Sequence, residues 1–127
     1  MRMMQNLFMA LDHIVTGRRN DDAELVIAEV KAAFTTFLGN DLEHFEAMTS
    51  DQIVEFFAND PYPTEKVEMV AMLLFEAGAV SSQPQVLRHR LTMADTLITY
   101  LAGARKSASL DHMAKQQYIR KRLGELE

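Results

Sequence analysis

The histidines are the residues of this sequence whose surroundings come closest to supporting chemistry. Arg88-His89-Arg90 places an imidazole between two cations on the polar side of an amphipathic segment. An exposed imidazole in such a setting can accept a phosphoryl group, whose charge the cations would balance. We therefore keep His89 as a candidate phosphoacceptor beside the simpler interpretation of a surface histidine. His13 follows Asp12 on the polar side of the first segment, and His112 follows Asp111. We expect both histidines to be surface residues.

No histidine has the spacing of a metal ligand. Asp41 and His44 are three residues apart, with Glu43 and Glu46 nearby, but a di-iron bundle needs two Glu-x-x-His helices and two further glutamates. We interpret this segment as a solvated acidic turn. The chain has no cysteine, which excludes thiolate metal sites, disulfides and cysteine nucleophiles. It also lacks Gly-x-Ser-x-Gly and any glycine-rich phosphate loop, so we expect no cofactor and no catalytic site.

Charge is divided unevenly along the chain. Residues 20–80 hold thirteen acidic residues against two lysines, whereas residues 81–127 hold eight lysines and arginines against four acids. The basic region, which comprises Arg105, Lys106, Lys115 and residues 120–122, raises nucleic-acid binding as an alternative. The isoelectric point near 5.3 argues against nucleic acid as a partner. The two parts could instead attract each other within one chain or between two copies.

Apolar residues recur every three or four positions along the whole chain, which predicts helices. The long helices are predicted over about 3–15, 20–38, 64–78, 82–102 and from 110 onward, and short ones over 40–45 and 49–57. The third long helix is apolar nearly all round and should be central. No segment alternates as a strand would. We therefore predict one all-α domain over residues 1–127, an antiparallel helical bundle or stacked helical hairpins with five long helices and one or two short ones.

Caps and breakers predict where these helices begin and end. Capping-box spacing occurs at Asp21/Glu24, Asn40/Glu43, Thr49/Gln52 and Ser82/Gln85. Gly39 should end the second helix, and residues 103–109 should form a loop. The two prolines of residues 59–63 cannot lie inside a helix, so the chain must turn there.

Some polar and sulfur-containing side chains have unusual positions. Glu68 and Glu76 lie on the nearly wholly apolar helix, and we expect both to be partly buried and paired with arginine.

Four methionines have core spacing: Met3, Met4, Met69 and Met72. Three fall away from their stripes and are candidates for an exposed apolar contact: Met9, Met48 and Met93.

The last helix has two apolar stripes rather than one. Leu110, Ala114 and Tyr118 share one face, whereas Ile119, Leu123 and Leu126 lie nearly opposite. One neighbouring helix would need only one stripe, so either the helix bends or its end packs on a different surface, such as a second subunit. The interface predicted on this basis consists of Tyr118, Ile119, Leu123 and Leu126.

Four short segments also carry a resemblance: Met1-Arg2-Met3-Met4, Phe37-Leu38-Gly39, residues 49–53 and residues 116–120 with Leu123. With these segments in this order, the chain resembles a bacterial family of short, tetratricopeptide-like helical proteins of unknown function. The resemblance implies a fold and supplies no catalytic residue. The tetratricopeptide repeat is degenerate. Its first helix is suited by Ala71, Leu74 and Gly78. Its second helix should carry alanine and aromatic residues at positions that are occupied here by Gln83, Leu87 and Arg90.

The sequence thus favours a non-enzymatic helical protein–protein interaction module that binds a partner protein or a second copy as a homodimer. No apolar run reaches the roughly 18 residues of a membrane span, and the N-terminus lacks a signal-like apolar segment. We therefore expect a cytoplasmic protein with no membrane partner. The alternatives are phosphoryl relay through His89 and weak nucleic-acid binding by the basic region.

Overall fold

A computed structural model describes residues 9–11, 14 and 22–126 of the chain. Within these ranges the protein is all-α, without a strand, which confirms the predicted fold class. Met9–Leu11 and Ile14 are helical. Residues 22–126 contain α1 (Ala23–Leu38), α2 (Leu42–Glu46), α3 (Ser50–Phe56), α4 (Pro63–Ala79), α5 (Pro84–Arg105) and α6 (Leu110–Glu125). Most of the helix predicted over 3–15, with Met3, Met4 and His13, lies outside the described residues.

Two predicted helix ends are confirmed in detail. Gly39 adopts a left-handed conformation with φ of 75° after α1, and its N–H donates to the carbonyl of Thr35. At the start of α3, Thr49 Oγ1 accepts from the backbone N of Gln52 at 3.1 Å, and Gln52 Oε1 accepts from the N of Thr49 at 2.8 Å. These two bonds satisfy backbone N–H groups that have no partner inside the helix.

Other helix starts differ from the prediction by about one residue. Asp22, not Asp21, caps α1 by accepting from Leu25 N at 3.1 Å, and Asp41, not Asn40, caps α2 by accepting from His44 N at 2.8 Å. The helices α4 and α5 have no side-chain cap and begin with a proline instead. Proline suits the first helical position because its φ is already helical and an N–H there would lack a helical partner.

The end of α5 was predicted too early. The helix continues through Gly103 to Arg105 and ends at Lys106, which adopts the left-handed conformation with φ of 55°. A glycine within a helix costs only about 1 kcal/mol relative to alanine, so it does not have to end the helix. Arg105 also donates to Glu68 Oε1 at 3.1 Å, which links the last turn of α5 to α4.

The central position of α4 is confirmed. Every residue from Met69 to Gly78 is buried, including the predicted core methionines Met69 and Met72. α5 packs antiparallel along α4, α1 packs against α4, and α6 packs on α5. The buried apolar side chains of these helices form one continuous core, which includes Ile14. Among the described residues, no helix is both long enough and apolar enough to cross a membrane.

The three methionines expected at the surface have different surroundings. Met9 is exposed, Met48 is partly buried against the core, and Met93 is buried. The prediction for Met93 is wrong because α5 contacts α3 as well as α4 and α6. A helix with several neighbours buries more than one stripe, so a residue outside the main stripe is not necessarily at the surface.

Candidate functional site

The acidic turn around α2 is not arranged for metal binding. Across the ranges that the structure describes, no three His, Asp or Glu side chains come together as metal ligands. The Asp41 carboxylate instead accepts the backbone N–H of His44, as an ordinary helix cap. The ring of His44 lies edge-on to Phe45 and Phe56, with centroid distances of 5.5 and 5.9 Å. The Asp41 and His44 pair therefore contributes to local structure.

His89, the candidate phosphoacceptor, is exposed on α5 and held by one hydrogen bond. Its Nε2 lies 2.8 Å from the backbone oxygen of Glu46. Because a carbonyl oxygen only accepts, Nε2 carries the proton, and Nδ1 holds the lone pair of the neutral ring. The ring borders an open pocket of about 440 Å³, whose other lining residues are Pro84, Gln85, Arg88, Thr92 and Leu126. The side chain is therefore accessible and oriented.

The two arginines beside His89 have different roles. Arg90 donates to both carboxylate oxygens of Glu46, at 3.2 and 3.3 Å, and to the carbonyl of Ala77 at 3.2 Å. It therefore connects α5 to the end of α2 and to α4. Only Arg88 shares the open pocket with His89, so the structure does not provide the pair of flanking cations that the sequence suggested.

His112 is buried, which corrects its prediction as a surface residue. The side chain is only 7% exposed, and its Nε2 lies 2.8 Å from Glu68 Oε2. The other Glu68 oxygen accepts from Arg105, so the expected partial burial and arginine pairing of Glu68 are confirmed. Glu76 is buried as well. The missed signal was the seven-residue spacing from His112 to Ile119, which places both on the inward face of α6.

Several cations of the basic region are occupied within the chain. Arg105 pairs with Glu68, and Lys115 pairs with Asp111 at 2.8 Å while lying over the Phe75 ring. Arg122 donates to the carbonyl of Ala79 at 3.2 Å and to the hydroxyl of Tyr118. Lys106, Arg120 and Lys121 are exposed. The partners within the chain reduce the positive charge that the region can offer to phosphate.

The four residues of the predicted interface contact the core of their own chain. Ile119 is fully buried, and Tyr118 packs edge-on against Phe75 with a centroid distance of 5.4 Å. Leu123 and Leu126 are partly buried against the same core. The stripe that holds Ile119 thus has its partner within one copy, and Ile119 has no surface to offer a second copy. The correction follows from α6 packing on α5 through this stripe.

The opposite stripe of α6 faces solvent. Leu110 is 83% exposed and Met113 is 45% exposed, and they lie three residues apart on one side of the helix. We call this side the outer face of α6, and its exposed residues are Leu110, Met113, Ala114, Gln117, Arg120, Lys121, Gly124 and Glu125. It is apolar at the N-terminal end, and towards the C-terminal end it carries the cations Arg120 and Lys121, followed by Glu125. The sequence had indicated this stripe through Leu110, Ala114 and Tyr118, but Tyr118 packs inward against Phe75 and Met113 was not included.

A second surface feature lies beside α1. An open groove of about 580 Å³ runs between α1, Glu43 of α2 and the connection from α4 to α5. We call it the α1 groove. Its apolar lining residues are Ala23, Ile27, Ala28, Val80 and Val86, and its polar ones are Glu24, Lys31, Glu43, Ser81, Ser82, Gln83 and Arg90. Nothing in the sequence predicted this groove, because its walls come from residues about fifty positions apart.

No protein-family model, no curated protein and no solved structure matches this chain. The resemblance to tetratricopeptide-like proteins therefore stays a prediction. The function has to be argued from the surfaces just described.

Proposed function

We propose that this protein is a non-enzymatic helical interaction module that associates with a second copy of itself. The observation that carries the proposal is the outer face of α6. Leu110 and Met113 expose large apolar side chains next to Ala114. The other apolar stripe of the same helix packs against the core. An isolated exposed leucine is normal, but neighbouring apolar side chains on one helix face favour a contact.

The charge distribution supports self-association over binding to an unrelated partner. Acidic residues outnumber lysines thirteen to two over residues 20–80, which include the whole of α1, α2, α3 and α4. Arg120 and Lys121 lie exposed at the C-terminal end of the outer face of α6. Each copy thus carries exposed cations on α6 and an excess of acidic residues on its other helices. The cations of one copy can face the acidic residues of a second copy, and such complementarity guides association.

Light scattering of purified variants tests this proposal. Leu110→Asp with Met113→Asp places two carboxylates in the apolar part of the outer face. We expect the wild-type chain to scatter as more than one copy at high micromolar concentration and this variant to scatter as one, with unchanged helix content. Tyr100→Asp is the matched control, because it places a charge on an exposed aromatic residue of α5. A wild-type protein that remains a single chain would contradict the proposal.

Phosphoryl relay through His89 is a second candidate, supported by the accessible and oriented ring. The hydrogen bond from Nε2 to Glu46 leaves Nδ1 as the nucleophile. Nδ1 would attack the phosphorus of acetyl phosphate, form an N–P bond and release acetate as the P–O bond breaks. Mass spectrometry should then find an acid-labile phosphoryl group that His89→Gln lacks. An unmodified wild-type chain after incubation would rule this candidate out.

A further inference from the structure

We infer that the α1 groove receives the outer face of α6 from a second copy, so that copies associate head to tail. The inference rests on the proposed self-association and adds the surface against which α6 packs. Both surfaces are present on one chain but belong to different helices. Each copy could therefore use its α6 on one neighbour and its groove on another.

The apolar parts of the two surfaces are complementary. The groove offers Ala23, Ile27 and Ala28 of α1 together with two valines from the α4–α5 side. The small alanines leave room between the helices, and Leu110 and Met113 are side chains large enough to enter it. A helix that lays its apolar residues into an open apolar groove is a common mode of protein recognition.

The charges of the two surfaces have opposite sign where they would meet. Glu24 and Glu43 are exposed at the groove, and Glu43 lies 3.6 Å from Lys31 in a weak, exposed ion pair. Arg120 and Lys121 are the exposed cations of the outer face of α6. Glu43 lies beside Lys31 at one end of the groove and Glu24 lies at the other end, so the exposed Glu24 is the carboxylate that Arg120 and Lys121 would meet.

The groove is shorter than the outer face of α6, which extends for about 16 Å from Leu110 to Lys121, but it is long enough for the part between Met113 and Arg120. From Ala23 to Lys31 the groove follows α1 for eight residues, about 12 Å at 1.5 Å per residue. Met113 and Arg120 are seven residues apart on α6, a distance of about 10 Å. One end of the groove could thus hold the apolar part of α6 while the other end holds the basic part.

A symmetric contact between two outer faces of α6 fits less well. In a parallel pair, Arg120 and Lys121 of one copy would oppose the same cations of the other. In an antiparallel pair, they would oppose the apolar end with Leu110 and Met113. The antiparallel pair would bring the cations near Asp111, but that carboxylate already pairs with Lys115 of its own chain, whereas the groove offers the exposed Glu24. The head-to-tail arrangement is therefore favoured, and it builds rings or open chains rather than closed dimers.

Two variants, each with one damaged surface, test the inference. The helix variant carries Leu110→Asp and Met113→Asp. The groove variant carries Glu24→Lys and Ala28→Arg, two exposed positions of α1 where the new side chains fill the groove and reverse its charge. Ala32→Arg is the matched control, because Ala32 is exposed on α1 but does not line the groove. Circular dichroism confirms that each variant is folded.

Sedimentation velocity then measures each variant alone and the two mixed. We expect both variants to lose association and remain single chains, while Ala32→Arg behaves as wild type. The mixture should form particles of two chains and no larger, because one intact groove meets one intact α6. If the groove variant still associates like the control, or if mixing restores nothing, the inference is wrong while self-association stands. If the wild type is already a single chain, the proposed function fails as well.

Discussion

At Gly78 the backbones of α4 and α5 approach closely. A Cβ atom at this position would lie 2.9 Å from Leu91 Cδ2 and 3.0 Å from Arg90 Cβ. Gly78→Ala should gain about 1 kcal/mol of helix propensity but lose about 1–3 kcal/mol through overpacking, so we expect net destabilisation of about 1 kcal/mol. Gly103→Ala is the control, since a Cβ there meets nothing within 4 Å and should stabilise α5. Urea unfolding measures both, and a more stable Gly78→Ala variant would contradict the close approach.

Glu68 connects three helices through its two oxygens. It accepts from Arg105 of α5 and from His112 of α6, and His112 is buried. Glu68→Ala leaves the buried imidazole without this partner, so we expect a loss of about 1–3 kcal/mol in the free energy of unfolding. Glu55→Ala, at an exposed position of α3, should change that free energy by less than about 0.5 kcal/mol. Equal effects of the two substitutions would mean that the Glu68 contacts contribute nothing.

Single residues were predictable where the signal lies in the sequence of their own helix. The apolar neighbours of Glu68 predicted that it would be partly buried and paired with an arginine. The burial of His112 and Met93 was missed because it depends on which helices pack around α5 and α6. That arrangement depends on contacts between residues far apart in the sequence. The spacing of apolar residues within one segment does not reveal such contacts.

The two stripes of α6 differ in what they contribute to stability. Ile119 is fully buried in the core, so Ile119→Ala should lower the free energy of unfolding by about 2–5 kcal/mol. Leu110 is mostly exposed, so Leu110→Ala should change it by less than about 0.5 kcal/mol. Chemical denaturation of the two variants at low protein concentration measures both values. A large loss for Leu110→Ala would show that its stripe already packs within the single chain.

Helices as elements were predictable to within a few residues. Gly39 and the capping box at Thr49 act locally, so their pattern gave the correct boundaries. Pro63 was interpreted as part of a break in the chain, yet it begins α4, as Pro84 begins α5, because proline fits the first turn. Gly103 was interpreted as a helix end, but α5 extends past it. The short connections do not indicate which stripe of α6 faces the core.

On the scale of the whole molecule, opposite charges on different helices predict an association that depends on salt. Raising sodium chloride from about 0.1 M to 1 M shortens the screening length from about 10 Å to 3 Å. We expect the dissociation constant of the wild-type assembly to rise several-fold over this range. Arg120→Gln with Lys121→Gln should associate more weakly at low salt and respond less to added salt. An assembly that salt strengthens would instead depend on apolar contact alone.

The surfaces of the whole molecule were the least predictable part. The all-α class and the central α4 followed from apolar spacing, since that signal is repeated in every helix. The α1 groove depends on the relative positions of α1, α2 and the α4–α5 connection, which only the assembled fold provides. The contact predicted on α6 used Tyr118, Ile119, Leu123 and Leu126, which pack against the core of their own chain.

The most direct test of self-association is the mass of the wild-type protein in solution as a function of concentration. Sedimentation equilibrium from about 1 to several hundred micromolar protein should give a mass that rises above the 14.4 kDa of one chain. The rise should disappear when Leu110 and Met113 are both replaced by aspartate. A mass that stays at one chain over the whole range would contradict the account.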